Sequence, residues 1–227
     1  MKLLRSLLFV PGDSEKKMAK GVSTQADALI LDLEDAVAIE RLPVARGMVC
    51  DYLKHHPRGA QQVWVRINPL QTEYALHDLM AVMPGRPDGI VLPKPLNAHD
   101  VVKLDHFLSA LETREGLVLG STQIIPVATE VAGALFELNS YAGCSARLAG
   151  LTWGAEDLAT AVGASTNKDE HGAFDFTYQL ARSMCLLAAS HAQVQAIDTL
   201  TVDFRDEAGL QKDVLRARKA GFTGKLA

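Results

Sequence analysis

Residues 27–33 read Asp-Ala-Leu-Ile-Leu-Asp-Leu, and this short run decides the fold class. Its central residues are apolar at consecutive positions, which is typical of a parallel β-strand that is buried on both faces. The run ends beside the acidic pair Glu34-Asp35. The pattern therefore predicts a buried strand of a parallel sheet whose carboxyl end carries charged side chains.

Similar apolar runs recur along the chain, and each one except the last is followed by a helical segment. The runs occupy residues 3–10, 62–67, 89–92, 123–128, 148–153 and 197–202, with a last one over 224–227. Helices are predicted at 42–55, 73–83 and 98–115, and Asp13-Ser14-Glu15 offers a cap for the first helix.

The strict strand–helix alternation favours either a barrel or an open doubly wound sheet. Eight units and the absence of a Gly-x-Gly-x-x-Gly turn favour a (β/α)8 TIM barrel, with residues 1–227 as one domain. The eighth strand has only begun when the sequence stops. We therefore expect a barrel that is truncated at its C-terminal end and poorly closed between its first and seventh strands.

Composition excludes several classes of protein. The 227 residues carry 23 Lys and Arg against 27 Asp and Glu, so the net charge of −4 argues against electrostatic binding of nucleic acid. The three cysteines are far apart, which is typical of a reducing compartment. No apolar run reaches the roughly 20 residues that span a bilayer, and no cleavage signal follows the N-terminal run. We expect a cytoplasmic protein with no membrane or nucleic-acid partner.

Charged residues follow five of the predicted strands. In a barrel of this kind, the carboxyl ends of the strands build the active site, so these side chains are expected to converge. The candidate residues are Asp32, Glu34, Asp35, Arg66, Lys94, Glu130 and Asp157.

The acidic candidates have no His or Cys beside them, which suits a hard cation such as Mg²⁺. Glu130 and Asp157 are the best pair of metal ligands, because they follow adjacent strands. Asp157 has an alternative role as an acidic residue in the first turn of a helix. Asp32, Glu34 and Asp35 are interpreted as groups that hold metal-bound waters and basic side chains, with salt bridges around the barrel rim as the alternative.

The two basic candidates are assigned to the substrate. The planar guanidinium of Arg66 matches a carboxylate, although an ion pair with Asp32 or Glu34 is the alternative. Lys94 stands between two prolines, and a phosphate or electrostatic contact is favoured over a Schiff base.

Five segments of the chain resemble the citrate lyase β-subunit-like family of the HpcH/HpaI aldolase superfamily. They are RSLLFVPG at 5–12, LDLEDAV at 31–37, VRIN at 65–68, LPK at 92–94 and WGAEDL at 153–158. The resemblance implies a magnesium-dependent (β/α)8 enzyme that cleaves 3-hydroxyacyl-CoA thioesters, usually as a homotrimer. It also implies that Arg66 binds substrate and that Glu130 and Asp157 bind the metal. These three are the predicted catalytic residues, and Glu130 is predicted to contact the substrate as well.

The resemblance further implies a retro-Claisen cleavage of (S)-citramalyl-CoA to pyruvate and acetyl-CoA. Citryl-CoA and malyl-CoA are alternative substrates, and a non-catalytic subunit or binding module is the alternative from another class. The chain departs from the family in two places. Glu130-Val131-Ala132 stands where the family has Glu-Thr-Ala, and the Ile-His-Pro that usually follows the segment 221–227 is not in this sequence.

Overall fold

The computed structural model describes residues 3–57, 59, 61–201, 203 and 205–227, and the eight strands within them are all parallel. Their hydrogen-bonded order is β5-β4-β3-β2-β1-β8-β7-β6. The strands are β1 (Ser6–Pro11), β2 (Ala28–Asp32), β3 (Gln62–Arg66), β4 (Gly89–Leu92), β5 (Gln123–Pro126), β6 (Gly150–Thr152), β7 (Gln195–Asp198) and β8 (Gly224–Leu226).

The sheet closes into a barrel both around the short strand β8 and between β5 and β6. β8 pairs with β1 on one side and with β7 on the other, and the N–H of Ala227 donates to the carbonyl of Leu7 at 2.8 Å. Between β5 and β6, isolated bridges join Ile124 to Leu148 and Val127 to Thr152. The expectation of a poorly closed barrel is therefore wrong. Three residues suffice for β8 because they pair with both β1 and β7, and β6 in the same sheet is equally short.

Helices cover the outside of the barrel. They are α1 (Glu15–Val22), α2 (Leu42–His55), α3 (Tyr74–Val82), α4 (Ala98–Glu115), α5 (Ala155–Ala161), α6 (Phe176–His191) and α7 (Glu207–Ala220). Among them, no helix is both long and apolar enough to cross a membrane. The connection after β5 is a 3₁₀ segment, Ala132–Tyr141, in which Gly133 and Asn139-Ser140 disfavour an α-helix.

One predicted cap is wrong in detail. Ser14 occupies the N-cap of α1, but its side chain makes no capping hydrogen bond. Its backbone carbonyl accepts the first hydrogen bond of the helix, from the N–H of Met18 at 3.0 Å.

The core has an inner layer within the barrel and an outer layer between strands and helices. On β2, Ala28 and Ile30 belong to the inner layer, whereas Leu29 and Leu31 pack towards the helices. Because side chains alternate along a strand, Asp32 continues the inner row of β2, and Arg66 follows Trp64 in the inner row of β3. The charged residues thus stand directly on top of the apolar interior.

Candidate active site

Asp32 and Arg66 form the base of the candidate site. They end β2 and β3 as register partners, and Arg66 Nε and Nη2 donate to Asp32 Oδ1 and Oδ2, each at 2.7 Å. The same carboxylate accepts the backbone N–H groups of Glu34 at 3.0 Å and Ala36 at 3.1 Å. Asp32 therefore fixes both the plane of the guanidinium and the loop after β2. The ion pair that was the alternative for Arg66 is present.

The remaining nitrogen of Arg66 faces two more carboxylates. Nη1 lies 2.9 Å from Glu34 Oε2 and 3.4 Å from Asp35 Oδ2. Glu34 is buried, whereas more than half of the Asp35 side chain is exposed. The guanidinium also lies over the ring of Phe9, 4.8 Å from its centroid. Asp32, Glu34 and the ring of Phe9 thus fix the position of Arg66. The exposed side chain of Asp35 can move away from it.

Lys94 connects the carboxylates to one another. Its ammonium bonds to Glu34 Oε1 and lies 3.2 Å from Asp157 Oδ1 and 3.6 Å from Asp35 Oδ1. Its backbone N–H donates to Glu130 Oε2 at 2.7 Å, with Lys94 at a positive φ of 51°. Burial lowers the pKa of Lys94, but the bond to Glu34 and the charges around it outweigh burial and raise the pKa overall. A protonated amine is not a nucleophile, which disfavours the Schiff-base alternative.

Glu130 is buried after β5 beside a glycine that makes room for it. A Cβ on Gly154 would lie 2.8 Å from Glu130 Cγ and 3.0 Å from Oε1. Burial raises the pKa of Glu130 well above its usual value, and the charges of Asp157 and Glu34 raise it further. Asp157 lies in the first turn of α5, and its carboxylate also contacts Lys94 among the other candidates. Its predicted place in the site and its alternative place at the start of a helix are therefore both correct.

Charge is unbalanced at this end of the barrel. Burial raises the pKa of Glu34 to about 7, although the positive charges of Arg66 and Lys94 act in the opposite direction. The candidate site contains five carboxylates but only two basic side chains, Arg66 and Lys94. The carboxylates are those of Asp32, Glu34, Asp35, Glu130 and Asp157.

The carboxylates suit a divalent cation of a particular kind. Within the described ranges, no three or more His, Cys, Asp or Glu side chains converge on one metal position. Mg²⁺ needs only one or two protein carboxylates, since waters and substrate oxygens complete its shell. Glu130 and Asp157 fit that requirement, and a divalent cation would offset the excess of negative charge.

These side chains border a cavity of about 240 Å³. Its charged lining residues are Asp35, Arg66, Glu130, Glu156 and Asp157, and most of its other lining residues are apolar. The apolar wall residues include Phe9, Val127, Trp153, Phe174, Leu200 and Leu226. An apolar pocket with a few convergent polar groups is typical of a small-molecule site. The sequence did not indicate these wall residues, because single apolar residues at strand ends and in connecting segments give no separate signal.

Comparison with known proteins identifies the family. Residues 5–227 match the family described as HpcH/HpaI aldolase/citrate lyase. The chain belongs to this family. The HpcH/HpaI family is one of aldolases and lyases, so the prediction of a lyase is confirmed. The eight parallel strands and the solved structures of this family confirm the prediction of a (β/α)8 fold.

Individual relatives in the HpcH/HpaI family support the assignment. The chain is 34% identical to the citrate lyase subunit beta of Haemophilus influenzae, over 99% of this chain and 75% of that protein. It is 32% identical to the mitochondrial citramalyl-CoA lyase of Rattus norvegicus, over 97% and 66%. Protein CitE of Mycobacterium tuberculosis, solved with magnesium, acetoacetate and coenzyme A, superposes with a TM-score of 0.81 at 30% identity, over 99% and 76%.

Proposed function

We propose that this protein is a Mg²⁺-dependent carbon–carbon lyase that cleaves (S)-citramalyl-CoA to pyruvate and acetyl-CoA. The observation that carries the proposal is the placement of Glu130, Asp157 and Arg66 around one cavity with apolar walls. Relatives named citramalyl-CoA lyase and citrate lyase subunit beta support this reaction class. Citryl-CoA and malyl-CoA are the alternative substrates.

Glu130 and Asp157 are the residues that would hold the metal. A bound Mg²⁺ would supply a positive charge that lowers the pKa of a substrate hydroxyl and neutralises a substrate carboxylate. Lys94 would support this arrangement from its backbone, because its N–H fixes one oxygen of Glu130 and leaves Oε1 beside Gly154.

Arg66 would bind the substrate carboxylate through Nη1. Asp32 already occupies Nε and Nη2, so it sets the orientation of the guanidinium. Arg66 and Asp35 both line the cavity, and the exposed carboxylate of Asp35, 3.4 Å from Nη1, can give way to the carboxylate of a substrate. The substrate carboxylate would thus replace Asp35 as an ion-pair partner of Nη1, and the orientation of this nitrogen would already be fixed.

The proposed cleavage is a retro-Claisen reaction. The substrate hydroxyl loses its proton, the bond between the carbinol carbon and the α-carbon of the thioester breaks, and the carbinol carbon becomes the carbonyl of the oxo acid. The electron pair remains on the thioester as an enolate, which takes up a proton to give acetyl-CoA. Phe9, Trp153 and Leu226 would exclude water from the enolate while it exists.

A direct assay tests the proposal. The purified chain is incubated with Mg²⁺ and, separately, (S)-citramalyl-CoA, citryl-CoA or malyl-CoA, and the oxo acid and acetyl-CoA are quantified. We expect the highest kcat/KM for (S)-citramalyl-CoA and no turnover after chelation of the metal. Preference for another of the three would change the substrate only, whereas cleavage of none would reject the lyase proposal for this chain.

Substitution of Lys94 should separate its two effects on the site. In Lys94→Met the ammonium no longer competes with a cation for Asp157, so we expect the affinity for Mg²⁺ to rise about tenfold. Without metal, the same variant should unfold at a lower temperature than the parent, because the carboxylates lose one of their two cations. Calorimetric titration and thermal unfolding measure both, with the exposed Lys103→Met as control. Unchanged or weaker Mg²⁺ binding would show that the ammonium does not compete.

Metal affinity should also depend on pH. Glu34 has a pKa of about 7 and that of Glu130 is raised, so protons must leave this cluster when a cation binds. We expect Mg²⁺ affinity to increase from about pH 6 to about pH 8, with proton release on binding. Titrations in buffers of different ionisation enthalpy measure the protons released. The Glu34→Gln variant should flatten the profile, and a flat profile in the parent would contradict the prediction.

We also propose that the protein forms a homo-oligomer, with a homotrimer expected. Phe176, Leu180 and Leu187 form an apolar stripe on α6, with 70%, 44% and 68% of each residue exposed. Such a stripe favours a protein partner. Light scattering should give three times the chain mass, and Leu187→Glu should lower it. A monomer at assay concentration would contradict the proposal.

A further inference from the structure

A second cavity, of about 370 Å³, lies beside the first at the carboxyl ends of β7 and β8. The two cavities share Trp153, Phe174, Thr199 and Leu200 in their walls. None of the candidate catalytic or metal-binding residues lines the second cavity. The second cavity therefore adjoins the proposed active site but has a charged lining of its own.

The floor of the second cavity contains two cations but only one carboxylate. Asp198 accepts Arg182 Nε at 3.0 Å and Nη2 at 2.8 Å. It also accepts the indole N–H of Trp153 at 2.7 Å and the backbone N–H of Thr199 at 3.1 Å. Both of its oxygens are thus engaged, and its charge is matched by Arg182.

The second cation, Lys225, has no such partner. It is only 8% exposed, and its ammonium donates to the carbonyl of Thr199 at 2.6 Å. It makes no ion pair with any carboxylate in the described part of the chain. Burial lowers the pKa of Lys225, and the more distant Asp198 and Asp213 only partly offset this effect. An ammonium has three donors, so Lys225 retains capacity for an acceptor from outside the fold.

The rim does not neutralise this excess. Lys168, Lys212 and Arg216 line it together with the same number of acids, Asp203, Asp206 and Asp213. All three acids have structural partners, and Asp203 accepts the backbone N–H of Arg205 at 3.0 Å. Asp206 caps α7 by accepting the N–H of Gly209 at 2.8 Å, and Asp213 accepts the hydroxyl of Thr201 at 3.0 Å. The lining as a whole keeps one positive charge, which lies on its buried floor.

We propose that this second cavity binds an oxyanion, a phosphate or phosphate-like group, with Lys225 as its buried cation and basic side chains of the rim around it. Loops after the seventh and eighth strands of (β/α)8 barrels frequently form phosphate sites, and the segment after β7 supplies much of the lining of this cavity. The anion is either free in solution or part of a larger phosphorylated ligand, and the chemistry that recognises it is the same.

Titration with inorganic phosphate tests the proposal, at constant ionic strength and without Mg²⁺. We expect saturable binding by the parent and at least about tenfold weaker binding by Lys225→Met, a change of about 1.4 kcal/mol. Lys219→Met, at the exposed far end of α7, serves as the matched control and should bind like the parent. The absence of saturable binding by the parent, or equal binding by Lys225→Met, overturns the proposal.

Two further arms complete the design. Removal of a buried ammonium that makes no ion pair should leave the fold intact. If Lys225→Met does not fold, Lys168→Met tests the rim in its place and should also weaken phosphate binding.

Repetition of the titration with saturating coenzyme A identifies the source of the anion. Competition assigns the site to a phosphate of the thioester, and simultaneous binding assigns it to a free anion. Phosphate binding requires no lyase activity, so this test and that of the proposed function can fail separately.

Discussion

Glu130→Gln should lose at least about 100-fold in Mg²⁺ affinity, which corresponds to about 2.7 kcal/mol. The substitution keeps the shape of the side chain, including the oxygen that accepts the N–H of Lys94, but it removes the charge next to Asp157. The metal would then have one charged protein ligand in place of two. Calorimetric titration of the metal measures this change directly.

The same variant should fold at least as well as the parent. The raised pKa of Glu130 shows that its environment favours the neutral form, and glutamine is permanently neutral. Thermal unfolding without metal should therefore show no decrease in stability at neutral pH. Glu137→Gln, which alters an exposed carboxylate in the 3₁₀ segment after β5, is the matched control and should leave both quantities unchanged. Parent-like Mg²⁺ binding by Glu130→Gln would reject Glu130 as a ligand.

Arg66→Lys should lower kcat/KM for the acyl-CoA by at least about tenfold, or about 1.4 kcal/mol. Lysine keeps the charge, but it cannot bond to both oxygens of Asp32 and also present a third nitrogen to a substrate carboxylate. The defect should appear in both KM and kcat, because Arg66 is proposed to bind the substrate and to orient it.

A second readout distinguishes this role from a purely structural one. If Arg66 acts on the substrate carboxylate, an analogue that lacks this group should bind equally well to the parent and to Arg66→Lys. Arg114→Lys alters an exposed arginine that pairs with the neighbouring Glu115, and it provides the control for a generic Arg-to-Lys change. Parent-like kinetics of Arg66→Lys would reduce Arg66 to a partner of Asp32.

The fold was predictable because its strands are buried on both faces and its longest helix has clear ends. The bounds of α4 are as predicted, since Asn97 accepts the N–H of His99 at the start and Gly116 adopts a left-handed conformation at the end. The seventh strand is displaced from the prediction, from 197–202 to Gln195–Asp198. Gln195 pairs with Gly150 of β6, and this register is a tertiary property that an apolar run cannot indicate.

The candidate site was predictable in its membership but not in its connections. Charged residues at strand ends converge because parallel strands of a barrel share one carboxyl edge. The sequence does not reveal that Asp32 takes up two nitrogens of Arg66, or that Lys94 reaches Glu34 and Asp157. These contacts depend on rotamers and on the positive φ of Lys94, which no periodicity encodes. The unpaired ammonium of Lys225 was equally hidden, because its burial follows from the closure of β8.

The crowding of carboxylates around Glu34 and Glu130 also bears on laboratory evolution of this protein. Both side chains are buried at the expense of folding free energy, as their raised pKa values show. A library selected only for heat resistance should therefore accumulate neutral residues at these two positions early. The core around Trp64 offers few such gains, because its side chains are apolar and already buried. Heat-resistant clones from such a selection should tend to be inactive. A selection that also demands turnover should preserve both acids.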